Sequence, residues 1–206
     1  MVKVKICGIT NLEDALKIAG LKPDALGFVF YQKSPRYIRP DKAREIIRHI
    51  PKSIKKVGVF VDEKENNIKR IAKDLKLDML QFHGDESPEF CAKFKGYKII
   101  KAFRIKDRVD FRGILRYRTY AYLFDTFVKS KIGGTGKRFN WELIRHLSGF
   151  HKPIFLSGGL NAQNAKEAIQ QAHPDWVDVS SCVEIKPGEK DYKKAKSFIK
   201  AVREKS

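Results

Sequence analysis

The stretch Val2-Lys3-Val4-Lys5-Ile6-Cys7-Gly8-Ile9-Thr10, running into Asn11-Leu12-Glu13-Asp14-Ala15, decides the fold. Its first six residues alternate apolar and polar, the period of a strand with one face on a core. Thr10 with Glu13 has the spacing of a capping box, which predicts a helix start directly after the strand. The same order recurs along the chain. Strands are predicted over Val2–Cys7, Ala25–Phe30, Val57–Val61, Met79–Phe82, Lys98–Phe103, Ala121–Asp125, Ile154–Ser157 and Val177–Ser180. Helical signals lie between them: Pro40 in a first turn, Ser87-Pro88-Glu89 as cap and first position, and Asn161 as cap of a helix over Ala162–Ala172. About eight strand–helix units imply parallel strands joined by crossovers. An open doubly wound sheet would satisfy that order, but a spacing of roughly 20–30 residues fits a closed (β/α)8 TIM barrel better, one α/β domain over residues 1–206.

Composition narrows the function classes. The chain carries 43 Lys+Arg against 24 Asp+Glu, a net charge of +19. Its apolar runs are far shorter than the ~20 residues that cross a bilayer, and its N-terminus lacks the apolar run of a signal peptide, so a cytoplasmic protein with no membrane partner is expected. Three scattered cysteines, Cys7, Cys91 and Cys182, form neither a disulfide framework nor a zinc motif. The lysines stand in ones and twos among acids, and the aromatics lack base-stacking spacing, so no nucleic-acid partner is expected. The charge reads first as a solvated basic surface, and second as a field that attracts a small polyanionic substrate.

Barrel enzymes work at the ends of their strands, and here those ends are chemically unusual. Alternation in the first strand sends Val2, Val4 and Ile6 toward the helices and Lys3, Lys5 and Cys7 into the barrel. A thiol at a strand end beside the Lys5 cation is expected to have a lowered pKa. Cys91, within a helical stretch, reads as a buried apolar residue. In the sixth strand Tyr120, Tyr122 and Phe124 face outward, and Ala121, Leu123 and Asp125 inward. A carboxyl group closing an apolar strand is a candidate general acid or base. Gly133-Gly134-Thr135-Gly136 reads as a flap or a turn. Ser157-Gly158-Gly159 and Ser180-Ser181 end the last two strands, where barrels often hold phosphate on backbone N–H groups. Arg36, in Ser34-Pro35-Arg36-Tyr37, offers a guanidinium fork to a carboxylate. His83, two residues after Gln81, has no second ligand at metal spacing and reads as a hydrogen-bonding group.

Lys5-Ile6-Cys7-Gly8-Ile9-Thr10, Ser34-Pro35-Arg36, Gln81-Phe82-His83-Gly84-Asp85-Glu86, Asp125 with Gly133-Gly134-Thr135-Gly136, Leu156-Ser157-Gly158-Gly159-Leu160, and Val177-Asp178-Val179-Ser180-Ser181 with Val183-Glu184 occur in the order of one family. Together they resemble the phosphoribosylanthranilate isomerases of tryptophan biosynthesis, end to end. The resemblance implies an enzyme without cofactor or metal that converts N-(5-phosphoribosyl)anthranilate to 1-(2-carboxyphenylamino)-1-deoxy-D-ribulose 5-phosphate by an Amadori rearrangement. It implies Asp125 as general acid and Cys7 as general base, with Arg36 on the anthranilate carboxylate. Asp178 would lie near the reacting sugar, with Lys5, Gln81 and His83 completing the substrate-binding set, and Gly158, Gly159, Ser180 and Ser181 would line the phosphate site. A homodimer is compatible with this reading. Two positions depart from the family pattern: Cys182, where glycine is usual and a side chain would crowd a turn of positive φ, and Asn140, where Asp is common and either residue would cap a helix. Other phosphosugar barrels, such as a ribulose-phosphate epimerase or indole-glycerol-phosphate synthase, would explain the last two loops but leave Cys7 without a purpose.

Overall fold

The computed structural model describes residues 1–105, 109–126, 141, 144 and 152–204. Eight parallel strands close into a barrel in chain order: β1 (Lys3–Cys7), β2 (Ala25–Val29), β3 (Lys55–Phe60), β4 (Met79–Phe82), β5 (Lys98–Ile105), β6 (Ala121–Thr126), β7 (Ile154–Leu156) and β8 (Trp176–Val179), with β8 pairing back onto β1. Every predicted strand is present, its ends within two residues of expectation. Around them run α1 (Leu12–Gly20), α2 (Pro40–Ile47), α3 (Glu65–Asp74), α4 (Pro88–Ala92), α5 (Phe111–Leu115), α6 (Ala165–Ala172) and α7 (Tyr192–Arg203). A short antiparallel ribbon, β9 (Glu184–Lys186) with β10 (Glu189–Lys190), follows β8 and was not foreseen.

Period-2 alternation sorts the residues into two cores. Val4, Ile6, Leu26, Phe28, Phe60, Phe82, Tyr122 and Phe124 pack outward against the helices. Ala25, Val57, Met79, Ile100, Ala102, Ala121, Leu123, Phe155 and Trp176 fill the barrel itself. Small alanines there leave room for the stacked Phe155 and Trp176 rings, 4.8 Å apart, the way a closed barrel fills its interior with layers of side chains rather than a pore. Above them Cys7, Val29 and Val59 form a separate inward cluster at the C-terminal mouth. Lys3, expected inside, is exposed at the opposite rim with its ammonium 5.3 Å from the Trp176 ring. It begins the strand, so only Lys5 reaches far enough into the barrel to be buried.

Pro40 and Ser87-Pro88 start α2 and α4 as expected, and Ser87 Oγ accepts from the Phe90 N–H. The other two caps move. Asn11 caps α1: its Oδ1 accepts from the Asp14 N–H at 2.8 Å, and its Nδ2 donates to Asp14 Oδ2. Thr10 is diverted, its hydroxyl donating to the Gly188 carbonyl. Helix α6 starts at Ala165 with Asn164 as its N-cap, because Asn161 Oδ1 is used by the Gln163 and Asn164 N–H groups in the preceding turn. The Gly133–Gly136 loop and Asn140 lie outside the described residues.

Candidate active site at the C-terminal mouth

Parallel strands aim all their C-terminal ends at one rim, and each inward-facing residue near those ends joins the floor of that rim. Cys7 and Asp125 are the last inward residues of β1 and β6, so the thiol and the carboxyl face the same end of the barrel. Lys5, Gln81 and Asp178 form the buried polar floor. Arg36, His83, Gly158, Gly159, Ser180 and Ser181 stand on the loops above it.

The β1–β8 seam carries a buried ion pair. Lys5 is fully buried, and its ammonium lies 2.9 Å from Asp178 Oδ1. Burial alone would drive the ammonium pKa down, but the Asp178 carboxylate and the Cys7 sulfur hold it above the ordinary lysine value. Cys7 sits against Gly27 on β2, where an added Cβ would come within 2.7 Å of its Sγ, so the thiol occupies space that glycine leaves. Its environment corrects the expectation of a lowered pKa. Burial pushes the thiol up; Lys5 and Lys190 pull it down, and Asp178 opposes them, with burial prevailing. Cys91, in α4, is buried as expected, its thiol pushed up to about 11 by burial.

His83 bridges two of the expected site residues. Its Nδ1 is 2.9 Å from Gln81 Nε2, and its Nε2 is 3.3 Å from Asp125 Oδ2. The Gln81 amide donates to Nδ1, which leaves the ring proton on Nε2, facing the carboxylate. Gln81 is almost entirely enclosed, and its Oε1 has no partner among the described residues.

Arg36 is held side-on. Nε lies 2.9 Å from Glu184 Oε1 and Nη2 2.7 Å from Glu184 Oε2. Its stem lies over Gly8, whose φ of +83° and lack of a side chain admit it; a Cβ there would approach Arg36 Cδ to 2.7 Å. In the seventh loop, Gly158 and Gly159 have φ of +88° and +67°, and Asn164 Nδ2 fixes the turn by donating to the Gly159 carbonyl at 2.9 Å. Ser180 Oγ donates to the Cys7 carbonyl at 3.1 Å, so its hydroxyl ties β8 to β1, while Ser181 opens a 3-10 turn, Ser181–Val183. Cys182 sits within that turn and is not among the residues of positive φ, so the feared conflict at this position does not arise.

Three partners went unrecognised in the sequence: Asn164, Glu184 as the Arg36 partner, and Lys190, whose Nζ reaches Glu184 Oε1 at 2.7 Å. Only the Val183-Glu184 pair left a mark there, as part of a motif.

A family model described as N-(5'phosphoribosyl)anthranilate (PRA) isomerase matches residues 4–201. The chain belongs to the PRA isomerase family. The family member from Thermoanaerobacter sp. (strain X514) is 48% identical over 203 residues, 98% of each chain. The crystal structure of the Thermotoga maritima PRA isomerase superposes with a TM-score of 0.92 at 45% identity, covering 98% of this chain and 99% of that one; another structure describes the enzyme from that organism as dimeric, at 42% identity, a TM-score of 0.88 and the same coverage. A PRA isomerase in complex with reduced 1-(o-carboxyphenylamino)-1-deoxyribulose 5-phosphate is 43% identical, with a TM-score of 0.89 and again the same coverage. Among the described residues of this PRA isomerase family member, no helix is long and apolar enough to cross a membrane.

Proposed function

We propose that this PRA isomerase family member rearranges N-(5'-phosphoribosyl)anthranilate to the 1-deoxyribulose 5-phosphate amino-ketose with Asp125 as general acid and Cys7 as general base. The observation that carries the reading is the shared orientation of those two groups, a thiol and a carboxyl at the ends of β1 and β6 facing one mouth. Asp125 gives its proton to the furanose ring oxygen as the C1–O bond breaks and the anilino nitrogen becomes an iminium. The carboxylate left behind accepts a hydrogen bond from His83 Nε2–H. The iminium acidifies the proton on C2, and the Cys7 thiolate removes it to give an enolamine. Protonation at C1 and loss of the C2 hydroxyl proton complete an isomerisation with no net gain or loss of atoms. Arg36 takes the anthranilate carboxylate, and the N–H groups of the Gly158-Gly159 and Ser180-Ser181 turns take the phosphate, where glycine lets the backbone approach an anion. The PRA isomerase bound to the reduced amino-ketose phosphate supports this substrate class. The dimeric relative supports a homodimer, which sedimentation of the purified chain tests.

The experiment is a coupled assay following loss of phosphoribosylanthranilate fluorescence. Cys7→Ala and Asp125→Asn are each expected to lower kcat about 10²–10⁴-fold, the usual contribution of a placed acid or base, while circular dichroism stays unchanged. Full activity in either variant removes that residue from its role.

A further inference from the structure

Among the described residues without a role so far, Lys190 on the β9–β10 ribbon forms an enclosed ion pair with Glu184. The Lys190 ammonium is almost wholly enclosed, and it donates to three oxygens from different parts of the chain: the Cys7 carbonyl that ends β1, the carbonyl of Ser180, the residue after β8, at 3.3 Å, and Glu184 Oε1, at 2.7 Å. Its backbone N–H donates to Asp14 Oδ2 at 2.7 Å, at the capped start of α1. Glu184 in turn grips Arg36 through both carboxylate oxygens.

We propose that Lys190 is a positioning residue of the isomerase site, holding the strand end that carries Cys7 and orienting Arg36 through a shared Glu184. A carboxylate paired with Arg36 alone would cancel its charge toward an incoming anion. Shared with Lys190, Glu184 leaves the pair of cations with net positive charge, so Arg36 stays fixed in direction and still attracts a carboxylate. The same ammonium acts on Cys7: its charge is one of the two that favour the thiolate against burial. A buried ammonium without such work would be an expensive way to close a turn, since each ion taken from water costs several kcal/mol before pairing. This inference rests on the reading of Cys7 as base and Arg36 as carboxylate clamp.

The test uses the full chain with Lys190→Met, which keeps the stem and removes the charge, beside Lys190→Met/Glu184→Gln, which removes both members of the pair and so avoids a stranded buried carboxylate. Three quantities are read: kcat and KM for phosphoribosylanthranilate, the rate of iodoacetamide alkylation at Cys7 resolved by peptide mass, and the thermal midpoint. Lys190→Met is expected to raise KM and to lower kcat/KM about 10- to 100-fold, the effect of one lost charged hydrogen bond, and to slow Cys7 alkylation severalfold at pH 8. The double variant is expected to fold with a near-normal midpoint yet keep both defects. Wild-type kinetics and alkylation in the folded double variant, with or without a lowered midpoint, would overturn the proposal by reducing Lys190 to a structural part. Failure of the base assignment shows separately, as full activity in Cys7→Ala; the alkylation rate needs no turnover and still decides for or against Lys190.

Discussion

His83 Nε2 lies 3.3 Å from Asp125 Oδ2, while the opposite ring nitrogen is held 2.9 Å from the Gln81 amide. The loop after β4 thus presents a fixed N–H to the end of β6, two strands away, and a buried glutamine sets which nitrogen carries the proton. In the proposed mechanism this N–H would steady the carboxylate that Asp125 becomes after giving up its proton. His83→Ala is expected to lower kcat about 10- to 100-fold, the range of one charged hydrogen bond, with KM nearly unchanged. Gln81→Leu should produce a smaller loss in the same direction. A KM effect without a kcat effect would make His83 a substrate-binding group instead.

The Cys7 thiol stands above its ordinary value because burial outweighs the two neighbouring lysines. With Cys7 as the proposed base, only its thiolate accepts a proton, so kcat/KM should keep climbing as pH passes 9. Stability moves the opposite way. Above the unfolded thiol value the native chain still holds a proton that the unfolded chain has released, so folding weakens as pH rises toward the raised native value. Thermal midpoints measured from pH 8 to 10.5 should fall less in Cys7→Ala than in the parent. A rate profile already flat at pH 8 contradicts this account.

Lys5 and Asp178 form an enclosed ion pair at 2.9 Å. Removing one partner strands the other charge, so Lys5→Met is expected to cost about 3–5 kcal/mol in chemical denaturation. Lys5→Met/Asp178→Leu should cost less than that single change, because no uncompensated charge remains. Equal losses in both would show that packing, not charge, dominates the seam.

Gly27 faces Cys7 across the β1–β2 ladder, in register with it. Gly27→Ala would put a methyl 2.7 Å from Sγ and 3.1 Å from the Cys7 Cα. Overpacking of this kind costs about 1–3 kcal/mol, and a sulfur displaced from its position should lower kcat more than it raises KM. Unchanged kcat would show that the strand absorbs the methyl without moving the thiol.

The eight strands, the inward placement of Lys5, Cys7 and Asp125 and the glycine-bearing loops were legible in the sequence because each rests on neighbours a few residues apart: period-2 alternation, Pro40 and Ser87-Pro88 as helix starts, glycines at strand ends. Helix starts at Thr10 and Asn161 came out displaced, since tertiary partners decided which of several capping residues was free. Thr10 was drawn to Gly188, and Asn161 was spent in its own turn.

The linear order of residues, then, determined the barrel, its mouth and the identity of the thiol and carboxyl that face it. Only the closed fold decided their electrical state. Whether Cys7 is raised or lowered depends on how closely Gly27, Val29 and Val59 enclose it and on where Lys5 and Lys190 point, and Lys190 is 183 residues away in sequence. Coulomb interactions and desolvation act through space, and closing the barrel brings together residues that no local spacing connects.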